Sequence, residues 1–266
     1  MKPESSLPRA RTYVDTLAAR GRHSFTSAEA GFALGVTANA ATKALARLMK
    51  QGYLASPERG FYVIVSPEYR SLGCLPPEQF VPGLMALRGL SYYVGLLSAA
   101  QFHGAAHQRP QRFQVMLAKN RRPIVCGKVH VGFIARKRLD EVPIRHFNTP
   151  RGEIRVSTPE ATAIDLVGYP DHAGGLEHVA TVLAELAERI DPEKLPAAAA
   201  TAPLPWAQRL GFLLEQLGAV DRAAPLKRYV HERVRDHVPL VSGGVRDGDR
   251  DAGWKVVLNA TIEADA

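Results

Sequence analysis

The sequence predicts an α+β protein: a small helical unit closed by a β-hairpin, then a larger mixed unit with an antiparallel sheet and several helices. Three features predict it. Between Thr37 and Lys50 apolar residues recur at helical spacing, and the pattern runs through a glycine stop into a hairpin. Over residues 109–157 the apolar period shortens to two. At Ser157 it returns to helical spacing and keeps it, with one break, to about residue 236.

Residues 9–20 place Tyr13, Val14, Leu17 and Ala18 on one side and end at Gly21, a first helix. A second helix follows over about 27–34, with Thr26 or Ser27 as cap and Glu29 in the first turn. Gly35 turns the chain into a third. Its N-cap is Thr37, because a threonine oxygen accepts from the orphan N–H groups of a first turn. Its stop is Gly52, because glycine enters the left-handed region without a Cβ clash. Ala41, Ala44, Leu45 and Leu48 fall at i, i+3, i+4 and i+7 and share an apolar face. Asn39, Thr42, Lys43, Arg47 and Lys50 form a polar, basic face. Residues 53–55 and 61–65 are β-prone, and Ser56-Pro57-Glu58-Arg59-Gly60 between them has turn chemistry.

Three helices and a two-stranded hairpin in this order predict an N-terminal winged helix-turn-helix over residues 1–65. A helix face of that chemistry suits the DNA major groove. Asn39, Thr42 and Lys43 are the candidates to read base edges. Arg47, Lys50 and the hairpin-tip Arg59 are the candidates to hold phosphates, with Thr37 at the helix entrance. The alternative is an ordinary surface helix with a solvated charged face.

Pro67, Pro76, Pro77 and Pro82 mark residues 66–82 as a linker, and 83–266 as a C-terminal domain. Residues 83–104 read as helical, with a break near 89–91. Phe113, Val115 and Leu117, then Val129, Val131 and Phe133, alternate with their neighbours. Further strands are expected at 124–126, 144–148 and 153–156. The simplest arrangement is an antiparallel sheet over about 109–157 with one buried and one basic face. Ser157-Thr158-Pro159-Glu160 starts a helix, Ser157 and Glu160 having capping-box spacing. Helices are expected at about 158–166, 174–189, 206–217 and 225–236, an Ala/Pro-rich connector at 192–205, and a last strand at 254–258.

The net charge is +8 and the pI about 9.7, which favours a polyanionic partner. Residues 1–65 hold a net +5 and residues 109–155 a net +9, leaving −6 for the rest. The second basic region contains Arg109, Arg112, Lys119, Arg121, Arg122, Lys128, Arg136, Lys137 and Arg138, then Arg145, Arg151 and Arg155. These residues are a candidate second nucleic-acid face; the alternative is that they balance the acidic remainder. Cys74 and Cys126, the only cysteines, fit no metal spacing and read as reduced thiols. With no apolar leader segment and no run of about 18 apolar residues, a cytoplasmic protein without a membrane span is expected.

No constellation points to a catalyst. His103 and His107 are four apart, but no third ligand follows at a zinc spacing. Asp165 lies among apolar residues inside a helix and reads as a buried ionic anchor rather than a catalytic carboxylate. No phosphate-cradling glycine loop or nucleophile elbow is present. Neither a metal nor a cofactor is expected.

Four segments resemble the AbiEi family of antitoxins from type IV toxin–antitoxin (abortive-infection) systems. They are the N-terminal unit, Tyr92-Tyr93-Val94-Gly95-Leu96-Leu97-Ser98-Ala99-Ala100, Val156-Ser157-Thr158-Pro159-Glu160-Ala161-Thr162-Ala163-Ile164-Asp165-Leu166, and Arg209-Leu210-Gly211-Phe212-Leu213-Leu214. The resemblance implies a DNA-binding autorepressor acting on inverted repeats in its own promoter. It also implies a C-terminal domain that counters a nucleotidyltransferase toxin without a stable complex, the antitoxin being a monomer or pairing on DNA. The readings it competes with are a DNA-targeted nucleic-acid-modifying enzyme and a plain regulator with no toxin.

Overall fold

The structure, a computed structural model, describes residues 6–105, 110–244 and 247–260. It is an α+β fold with three buried clusters.

The N-terminal part runs α1 (Ser6–Ala19), β1 (Ser24–Thr26), α2 (Ser27–Leu34), α3 (Ala38–Lys50), β2 (Leu54–Glu58) and β3 (Phe61–Ile64). Local chemistry sets the helix ends. Thr26 caps α2 in a full capping box with Glu29. Thr37 caps α3 by accepting from the Ala40 N–H at 3.3 Å. Past α3, Gly52 takes φ +75°, and Tyr53 N–H returns to Leu48 O at 3.0 Å. Gly31 is needed for close approach, since a Cβ there would stand 2.9 Å from the Val36 carbonyl oxygen. The expected two-stranded hairpin has a third strand. β1 pairs with β3, giving the antiparallel order β1-β3-β2. The cause is long-range: Phe25 is buried and stacks on Tyr62 at 5.6 Å, across the register partner.

Residues 66–82 are not a loose linker. Cys74, Leu75, Phe80 and Val81 are buried, and α4 (Pro77–Arg88) starts inside the stretch. Proline is tolerated in a first helical turn, which is where Pro77 sits. The helical pattern expected to Gly104 is broken by a short strand, β4 (Tyr93–Val94), before α5 (Leu96–Phe102). Two residues cannot announce a strand by periodicity.

The main sheet joins β4 to β5 (Phe113–Leu117), β6 (Ile124–Cys126), β7 (Val129–Ala135), β8 (Ile144–Thr149) and β9 (Gly152–Ser157), in the order β6-β7-β5-β4-β9-β8. It is mixed, not antiparallel. β5 pairs parallel with β7, and β4 parallel with β9. β6 folds back onto the outer side of β7, which leaves the inner side of β7 to β5. Nor does the sheet keep one basic face: all five residues of β5 are buried. One side packs on a cluster containing Phe80, Val81, Leu84 and Met85 of α4. The other side, through Tyr93, Met116 and Ile134, packs on the following helices.

Those helices are α6 (Pro159–Gly168), α7 (Leu176–Leu186), α8 (Leu195–Ala199), α9 (Leu204–Gln216) and α10 (Val220–His231). α8 falls in the expected connector. The cap of α6 is Thr158, not Ser157; the Ser157 hydroxyl instead meets the Thr162 hydroxyl at 2.7 Å. α10 starts five residues earlier than expected and carries Pro225 inside it. A small sheet of β10 (Val238–Pro239), β12 (Val256–Leu258) and β11 (Asp249–Asp251) closes the chain around Trp254, which is fully buried. Trp254 packs on Gly211 of α9, where any Cβ would fall 2.0 Å from the indole ring.

The back of the hairpin belongs to the second unit. Ala55, Phe61, Val63 and Val65 share a buried cluster with Val115, Ile124, Val129 and Val131 of the main sheet. β2 lies against β6.

Candidate nucleic-acid interface

α3 is amphipathic as its spacing dictates. Ala41, Ala44, Leu45 and Leu48 are buried against Val14, Phe25 and Leu54. Asn39, Thr42, Lys43, Arg47 and Lys50 are exposed. Among the described residues, the side chains of Asn39, Lys43, Arg47 and Lys50 have no hydrogen-bond or ion-pair partner. The two threonines are committed in part. Thr37 Oγ1 accepts the capping bond, and Thr42 Oγ1 donates to Ala38 O at 2.9 Å. Arg59 is exposed in the β2–β3 turn.

The second group of basic residues does not form one face. Arg109 and His107 lie outside the described residues. The strand register puts Arg112 and Lys128 at one end of the sheet and Lys119, Arg121, Arg122, Arg136, Lys137 and Arg138 at the other. Arg112, Lys119, Arg122, Lys128 and Lys137 are exposed. Arg121 is spent on Glu58 of the hairpin. Arg138 is paired with Glu141 and donates to Ala200 O at 2.6 Å.

Arg136 is 2% exposed and is a structural residue. Its Nε donates to Asp165 at 2.9 Å, and its Nη1 to the carbonyls of Lys137 and Thr201. Tyr93 Oη donates to the other Asp165 oxygen at 2.6 Å. Burial pushes the Asp165 carboxyl up from its ordinary value, while Arg136 and Tyr93 oppose that shift. A buried carboxylate with an arginine and a tyrosine, all facing protein, is an anchor between β4, β7 and α6. Among the described residues, no three His, Cys, Asp or Glu side chains converge as a metal site. No helix among them is long and apolar enough to cross a membrane.

The stretch that holds this anchor, residues 93–216, matches the family model described as AbiEi antitoxin C-terminal domain. The chain carries an AbiEi antitoxin C-terminal domain. This is an antitoxin family rather than an enzyme family, and it implies a toxin as counterpart. The AbiEi domain spans β4 to α9, so the motifs around Tyr93, Asp165 and Leu210 all lie within it. The whole fold is similar to the crystal structure of the RV2827C protein from Mycobacterium tuberculosis. That likeness has a TM-score of 0.65 at 18% identity and covers 93% of this chain and 90% of that one. No curated protein matches the sequence.

Inside the AbiEi domain, His103 closes α5 onto β9. A carbonyl can only accept, so His103 Nε2–H donates to Ser157 O, at 2.7 Å. Desolvation by burial holds the imidazole below its usual value. A depressed histidine contributes stability that is present above its unfolded value, about 6.5, and is lost as pH falls toward the folded value. The urea midpoint of the protein is therefore expected to fall between pH 7.5 and pH 5.5, and His103→Gln to flatten that fall. A variant with the parent's pH dependence would remove His103 as its source.

Two interactions escaped sequence reasoning. Arg136 reads as surface charge in the sequence, and its place directly after an apolar strand, with a lone aspartate in a later apolar helix, is the one signal that it is buried. The grip of Arg88 and Arg121 on Glu58 had none, because the partners lie 30 and 63 residues away.

Proposed function

We propose that this chain is a DNA-binding autorepressor and the antitoxin of a type IV toxin–antitoxin pair. The N-terminal unit is read as a winged helix-turn-helix, with α2 and α3 as the paired helices and β2–β3 as the wing. The observation that carries the reading is α3: one face is packed to closure, and the other presents four long or polar side chains with no partner among the described residues. Asn39 and Lys43 have the chemistry to read adenine and guanine edges, and Thr42 offers its methyl to a thymine. Arg47, Lys50 and Arg59 supply phosphate contacts that hold the register. Exposed Lys119 and Arg122, in the loop beside the wing, can lengthen the footprint.

Helix-turn-helix proteins commonly occupy two half-sites, so pairing of two copies on an inverted repeat in the protein's own promoter is part of the proposal. The counterpart is a nucleotidyltransferase toxin, opposed without a stable complex and in the cytoplasm.

The experiment is binding of the full-length protein to its own promoter duplex, against an unrelated duplex of equal length. Asn39→Ala and Lys43→Ala are each expected to relax preference at one base-pair position by roughly 1–3 kcal/mol. The check is a systematic substitution series of the site. Identical base-pair preferences in parent and both variants would reject α3 as the reading helix. A nucleotidyltransferase gene beside this one, whose toxicity the protein suppresses in cells, tests the antitoxin half.

A further inference from the structure

Glu58 precedes the exposed wing-tip residue Arg59, and two guanidiniums from the other unit converge on it. Arg88, the last residue of α4, reaches its carboxylate at 2.5 Å. Arg121, in the loop between β5 and β6, reaches the other oxygen. Arg88 also donates to the Arg59 carbonyl at 3.3 Å. The Glu58 and Arg121 side chains are 22% and 23% exposed and Arg88 37%, so the cluster sits at the rim of the surface. Ala55 and Phe61 beneath it are buried with the main sheet, which keeps the hairpin from swinging away.

One carboxylate needs one guanidinium to be neutral, so this group keeps an excess positive charge. Its two arginines are nevertheless turned onto protein, while Arg59, Lys119 and Arg122 nearby are exposed. Phosphate contacts bind any sequence alike, and each one added strengthens non-specific binding and steepens the salt dependence. We propose that Glu58 is a specificity-setting positioning residue: it holds Arg88 and Arg121 on the protein side of the wing, so that a duplex meets Arg59 and not the two arginines behind it. The proposal rests on the DNA-binding reading above.

The test is Glu58→Gln in the full chain, measured on the promoter duplex and on an unrelated duplex across a salt series. The slope of log K against log salt is expected to steepen by about one to two as the arginines reach phosphates. Non-specific affinity rises, and the ratio of specific to non-specific binding falls several-fold. The triple variant Glu58→Gln/Arg88→Gln/Arg121→Gln returns the slope to the parent's value. A carboxylate that only stabilised the hairpin would lower the melting temperature without steepening the slope. An unchanged or shallower slope for Glu58→Gln overturns the proposal. A parent protein that shows no salt-dependent binding to its promoter overturns the DNA-binding reading instead.

Discussion

Arg136→Ala lowers the unfolding free energy by about 3–5 kcal/mol, the expected result of leaving a buried carboxylate without its counter-ion. Asp165 is fully buried and Arg136 nearly so, so no solvent replaces the lost pair. The neighbouring groups cannot compensate. Tyr93 already donates to Asp165, and the Thr201 carbonyl, once an acceptor for Arg136, is left without that donor. The loss depends on pH. In the variant the Asp165 carboxyl is raised further above its unfolded value, because burial acts on it with no guanidinium opposing. Such a group keeps its stability below the unfolded value, near 4, and loses it as pH rises through the folded value. Urea unfolding of Arg136→Ala is therefore expected to show a smaller loss at pH 5 than at pH 7.5. A double replacement, Arg136→Met with Asp165→Leu, is expected to cost less than Arg136→Ala alone, since no charge remains buried. With Arg136→Met and Asp165→Leu also measured singly, losses that add up to that of the double variant would show that the two side chains are not coupled.

Under the proposed function, replacing Arg47, Lys50 and Arg59 together with glutamine removes about three phosphate contacts. The slope of log K against log salt for promoter binding then becomes shallower by roughly three. At near-physiological salt the affinity falls by orders of magnitude, while the melting temperature stays close to the parent's. The reason for that split is geometric: all three side chains are exposed, and none has an ion-pair partner among the described residues. A triple variant that keeps the parent's slope would place the contact elsewhere on the molecule.

α3 and the Arg136–Asp165 anchor differ in how far the sequence alone shows them. α3 could be read almost residue by residue. Its cap, its stop and its apolar stripe are each set within four residues of chain, and backbone satisfaction at that range leaves few alternatives. The strands over 113–117, 124–126 and 129–135 were equally visible by their period. Their pairing was not. Parallel alignment of β5 with β7 and insertion of β4 beside β9 depend on contacts between residues 18 and 62 positions apart. The expected basic sheet face failed for the same cause: alternation shows that a strand has two sides, not what covers each.

By itself, then, the chain's order of residues determined where helices start and stop, which side of α3 is oily, and where the excess positive charge is stored. Tertiary structure alone decided how each charge is used. Arg136 closes on Asp165 inside the AbiEi domain, Arg121 and Arg88 close on Glu58 of the β2–β3 hairpin, and Lys43, Arg47 and Lys50 are left open to solvent. A charge answers to whatever lies within a few ångströms in space, and proximity of that kind is created by folding, not by neighbours along the chain.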